Sequence, residues 1–86
     1  MTVFIAESGD YEQRSVDHVG ISLDATVRAI RNDYARHGSV VIWNEVRQAT
    51  HGTGWTLTGH ITEQGGHRQT RPLETDHDIT EWTVSE

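Results

Sequence analysis

From Trp55 to Thr62 the chain alternates without interruption, with Trp55, Leu57, Gly59 and Ile61 on one side and Thr56, Thr58, His60 and Thr62 on the other. A period of two with a single apolar side predicts a strand of an antiparallel sheet that has one face on a core and one in water. Gly65-Gly66 then supplies a two-residue hairpin turn, which sets Gln64 opposite His67, Glu63 opposite Arg68 and His60 opposite Arg71. The returning strand is polar and holds Pro72, whose missing backbone donor places it at a sheet edge, short or frayed.

The remaining segments supply neighbours for that hairpin. Thr2-Val3-Phe4-Ile5-Ala6 is a short β-branched apolar run and reads as a strand buried on both faces. After the turn residues Ser8-Gly9-Asp10, Arg14 to Ile21 alternates weakly, with Ser15, Asp17, Val19 and Ile21 against Val16 and His18. Ser22 stands where a helix N-cap belongs, and Leu23, Val27, Ile30 and Tyr34 form one apolar stripe at helical spacing. With Gly38 as the αL stop, the helix spans about residues 23–37. Val40 to Arg47 reads as another strand, followed by a turn at His51-Gly52-Thr53-Gly54. From Asp78 to Val84, Asp78 and Glu81 fit a capping box while the Thr and Val content fits a strand, and the strand reading is adopted. The expected fold is α+β, with one helix packed on one face of an antiparallel sheet of five or six strands.

Composition bounds the rest. Leu, Ile, Val and Phe make up only 18 of 86 residues, so one thin-cored domain over 1–86 is expected, and a homodimer that completes the core. No cysteine is present, which excludes disulfides, thiolate metal sites and thiol nucleophiles. No membrane-length apolar run and no secretory leader is evident, so the expectation is a soluble, cytoplasmic protein. The net charge of −6 is unevenly spread: residues 1–24 carry −4, residues 25–73 carry +3 and residues 74–86 carry −5. Such acidic ends disfavour direct nucleic-acid binding and attract basic proteins.

Chemical motifs are sparse. The six histidines invite a metal site, but Asp76-His77-Asp78 would alternate across a strand, His60 and His67 would be offset, and no HxH or HExxH pattern occurs. Solvated surface histidines are the expectation, with no metal and no cofactor. No serine lies in a nucleophile elbow, and Gly52-Thr53-Gly54 is an isolated turn motif, so no catalytic residue is assigned.

The opening apolar strand, the run Val19-Gly20-Ile21 into Ser22 and a helix, and the closing Ile79-x-Glu81-Trp82-x-Val84 resemble a group of small α+β proteins common in phages and bacteria. The resemblance implies that the first and last strands are neighbours, and brings no catalytic residues to transfer. That pairing would gather Glu7, Asp10 and Glu12 beside Asp76, Asp78 and Glu81, with Trp82 among them and Trp43 as a second exposed aromatic. An aromatic anchor among carboxylates is the makeup of a protein-binding hot spot. The functional expectation is a small non-enzymatic protein-binding module, in its sharpest form a phage or mobile-element inhibitor. It would cover a basic surface of a host protein or nucleoprotein complex in the host cytoplasm, as an anti-CRISPR-like protein or nucleic-acid mimic does. The alternatives are a structural or oligomeric accessory protein and a small histidine-dependent metal enzyme.

Overall fold

In the computed structural model, which describes residues 1–10, 12–50 and 53–85, Ser22 opens the helix as its position predicts. Its backbone is extended and its hydroxyl accepts a hydrogen bond from the Ala25 N–H at 3.1 Å. Helix α1 runs Leu23–Arg36, with Asp24 in its first turn and Arg36 in its last, each matched in sign to the nearer end of the helix dipole. Gly38 follows at φ +78°, a conformation that favours glycine. Removing the cap hydroxyl with Ser22→Ala is expected to cost about 1 kcal/mol, seen as a fall in Tm of roughly 4–8 °C. Ser22→Asp, which keeps an acceptor, should leave the melting curve in place.

The strands are β1 (Thr2–Asp10), β2 (Gln13–Gly20), β3 (Ser39–Trp43), β4 (Arg47–Gln48), β5 (Trp55–Gln64) and β6 (His67–Thr83). They form one antiparallel sheet in the order β2-β1-β6-β5-β3, and β4 pairs with β5 along the same edge as β3. The first and last strands are neighbours, from Thr2 opposite Thr83 to Glu7 opposite Asp78. The helix covers one face only. Ala6, Val27, Ile30, Leu57 and Ile79 form the buried cluster between the layers, ringed by Phe4, Leu23, Tyr34, Trp43, Val46 and Trp55. The fold is therefore α+β, one helix on one face of a six-stranded sheet.

Four local expectations are corrected. First, β1 is not buried on both faces: Ala6 is sealed under the helix while Val3 and Ile5 are half-buried on the uncovered side. Second, the strand with Pro72 is neither short nor frayed. It continues into the closing segment as one strand of 17 residues, which lies between β1 and β5. Proline is accommodated because residues 69–72 stand as a bulge against Thr62 alone, and β1 does not begin to pair until Asp78. Third, that bulge moves the register: Glu63 faces Arg68 and Gln64 faces His67 as expected, but His60 faces Glu74. Fourth, the predicted strand from Val40 to Arg47 is broken at residues 44–46. Val46 packs against the core, and Asn44 bridges the gap by donating its backbone N–H to Thr58 O at 3.0 Å and its side-chain amide to Thr58 Oγ1 at 2.9 Å. His51 and Gly52 of the predicted turn lie outside the described residues.

Candidate functional site

Two groups of side chains stand out, one under the helix and one on the face that the helix leaves open. The first centres on His77, which is 5% exposed and so is not the solvated histidine expected. Thr75, His77 and Ile79 alternate inward along β6 while Glu74, Asp76 and Asp78 alternate outward. His77 Nδ1 lies 2.8 Å from Asp17 Oδ2, and the other Asp17 oxygen accepts from the Ser8 hydroxyl at 2.9 Å. A carboxylate only accepts, so Nδ1 carries a proton and donates to Asp17. Nε2 lies 2.8 Å from the Tyr34 hydroxyl and 3.0 Å from the Thr75 hydroxyl, which are themselves hydrogen-bonded to each other.

Asp17 reaches this position through a bulge in β2. Ala6 pairs with His18 and Glu7 with Val16, so Asp17 is left as the extra residue and turns under the helix. The network thus ties β1, β2, β6 and α1 together through Ser8, Asp17, His77 with Thr75, and Tyr34. Among the described residues no buried side-chain polar atom is left without a partner. The Asp17–His77–hydroxyl order is that of a nucleophilic relay, but both hydroxyls point inward. Thr75 borders a groove on the open face with Gly59 and Asp76, while its hydroxyl is turned the other way, toward Tyr34. The arrangement latches the helix to the sheet.

The second group occupies the open face. Along β5 it presents Thr56, Thr58, His60 and Thr62, as the alternation predicts. Beside them on β6 stand Glu74, Asp76 and Asp78, followed by Thr80 and Trp82, whose indole N–H donates to the Thr80 hydroxyl at 2.8 Å. Register carries the face onward through Val3, opposite Trp82, and Ile5, opposite Thr80, to Val19, opposite Ile5. Trp82 is 54% exposed and Val19 62%. Val40 and Ile42 of β3, both exposed, complete the far side.

The predicted acidic cluster is only partly assembled here. Glu7 and Asp78 are direct cross-strand neighbours, yet Arg14 stands between them, 3.4 Å from Glu7 and 2.7 Å from Asp78. The hydrogen bond to Asp78, then the one to Glu7, favours the charged guanidinium and raises the Arg14 pKa above its ordinary value. Glu81 has the opposite parity and lies on the helix side of the sheet, across from Phe4. Glu12 is exposed in the β1–β2 turn, and Asp10 pairs with Gln13 at the far end of that hairpin. Trp43 is on the opposite side from Val40 and Ile42, as expected, but that side faces the helix. Its ring meets Tyr34 edge-on at 5.2 Å and lies 5.9 Å from the Arg31 guanidinium. Gly59 makes room for it, since a Cβ there would come within 2.9 Å of Trp43 and Val41.

No group of three or more His, Asp or Glu side chains converges as a metal site among the described residues. Among the described residues no helix is long and apolar enough to cross a membrane. Comparison with protein-family models, curated proteins and solved structures finds no match to this chain.

Proposed function

We propose that the chain is a small non-enzymatic protein-binding module that presents the uncovered face of its sheet to a basic partner. The observation that carries this reading is one continuous surface on which exposed Trp82 and Val19, with Val3 and Ile5, adjoin the carboxylate row Glu74, Asp76 and Asp78. Apolar side chains gathered on one face mark contact surfaces, and a desolvated aromatic beside carboxylates both anchors a partner and steers it in. The finer form is a phage-type inhibitor that covers the nucleic-acid-binding surface of a host protein. The row supports it, because carboxylates on alternate strand residues repeat about every 6.8 Å and offer a regular line of negative charge to arginines and lysines built for phosphates.

The test is affinity capture from cells of the source organism with the wild-type chain and with a variant carrying Asp76→Asn, Asp78→Asn and Trp82→Ala, at low and high salt. Basic proteins held by the wild type at low salt should be lost from the variant, and their measured association should slow about tenfold or more. Equal retention on both chains at every salt concentration overturns the reading. Glu81, on the other face, serves as the control: Glu81→Gln should bind as the wild type does.

A further inference from the structure

Resting on that reading of the open face, we infer that one of its partners is a second copy of this chain, which docks there through its own arginine-bearing end. The fold gathers that end from three separate segments. The Gly65 N–H donates to Gly38 O at 3.1 Å, so the β5–β6 turn sits against the C-terminus of α1, where Arg36 and His37 lie. His67 and Arg68 follow the turn, and Arg71 lies in the bulge at residues 69–72. All five side chains are exposed. The ion pairs among the described residues involve Arg14 and the histidines only, so no described carboxylate lies within 4.0 Å of Arg36, Arg68 or Arg71.

The shape suits this end to reach a neighbour. The molecule measures 47 × 25 × 25 Å, and from His67 to Leu73 strand β6 has β5 on one side and, among the described residues, no strand on the other. The bulge opens a groove of about 450 Å³ lined by Thr62, Arg68, Gln69 and Thr70, all able to donate hydrogen bonds and none acidic. Beside it Leu73 is almost half exposed. The groove is chemically the counterpart of a carboxylate row flanked by apolar side chains.

Charge decides the geometry of the contact. The open face carries Glu7, Glu74, Asp76 and Asp78 against Arg14 and, opposite Thr56 at the β4 edge, Arg47, so carboxylates still outnumber arginines there. Two copies meeting face to face would bring like charges together, whereas the end of one copy on the face of the next brings opposite charges together. The contact is therefore heterologous, and it propagates into a ring or an open chain of copies instead of stopping at a two-fold dimer.

Sedimentation velocity on the full chain tests this with two neutralised variants, Asp76→Asn with Asp78→Asn for the face and Arg68→Gln with Arg71→Gln for the end. All four positions are exposed or half-buried, and thermal melts confirm that both variants fold. The wild type is expected to exceed the 9.7 kDa monomer mass in a concentration-dependent way at low salt and to return to it at high salt. Each variant alone should self-associate at least about tenfold more weakly. An equal mixture should yield a two-chain species and nothing larger, because only the intact end of the face variant and the intact face of the end variant remain to meet. A wild type that stays at 9.7 kDa at low salt, or an end variant that assembles as the wild type does, overturns the inference. The outcome is separable from the capture experiment, since the end variant keeps the open face whole.

Discussion

Replacing His77 by alanine is expected to lower the unfolding free energy by about 3 kcal/mol, which for a domain of this size is a fall in Tm of roughly 10–20 °C. Among the described residues the imidazole alone joins the Asp17 carboxylate to the Tyr34 and Thr75 hydroxyls. Without it Asp17 keeps Ser8 as its hydrogen-bond donor, and a void opens between β6 and α1. The Asp17 side chain is 23% exposed, so water relieves part of the loss, which is why the estimate sits at the lower end for a broken buried pair. A double-mutant cycle isolates the contact: His77→Ala and Asp17→Ala should together cost about 1 kcal/mol or more less than their sum. Strict additivity would show that the two side chains do not act as a unit. Tyr34→Phe removes only the hydroxyl from the helix side, and its cost should stay near about 1 kcal/mol because Thr75 still reaches Nε2.

That network also marks where the sequence stops being readable. Ser22, the stripe Leu23, Val27, Ile30 and Tyr34, and the alternation from Trp55 to Ile61 announce their structures because each depends on residues a few positions apart. The inward turn of His77 was legible too. Glu74, Asp76 and Asp78 occupy alternate positions, and three carboxylates facing water oblige Thr75, His77 and Ile79 to face the core. The number of histidines carries no such information; the strand parity of one residue does. Asp17 is different in kind. Regular alternation places it on the side of Val19, and the bulge that turns it under the helix arises from pairing with β1, which no local pattern records.

The open face divides in the same way. Alternation yields Asp76, Asp78 and Trp82 on one side and removes Glu81 from it. Arg14 reaches Asp78 across 64 residues of chain, and its place between two carboxylates follows only from strand order. The bulge at 69–72 likewise cannot be read from Gly65-Gly66, which sets the register only as far as Glu63 and Arg68. Trp43 falls on the expected side of β3, but whether that side is covered depends on where the helix lies.

A second large effect is expected at Gly20, where β2 hands over to α1 within two residues. A Cβ on Gly20 would lie 2.1 Å from Thr26 Oγ1 and 3.2 Å from Thr26 Cβ. Gly20 is absent from the glycines with positive φ, so close approach and not backbone conformation demands glycine here. Thr26 has no room to retreat: it is fully buried, and its hydroxyl donates to Ser22 O at 2.8 Å. Gly20→Ala must therefore push the first turn of α1 off the sheet, at a cost of about 2–3 kcal/mol, or roughly 10–20 °C in Tm. Thr26→Ala removes the nearer atom and leaves the 3.2 Å contact, which a shift of a few tenths of an ångström relieves. In the Thr26→Ala background the further cost of Gly20→Ala should accordingly fall to about half or less. Thermal melts of the four chains read both numbers. If Gly20→Ala costs the same in either background, the helix is not held against β2 through this contact, and its docking rests on Tyr34 and the buried cluster instead.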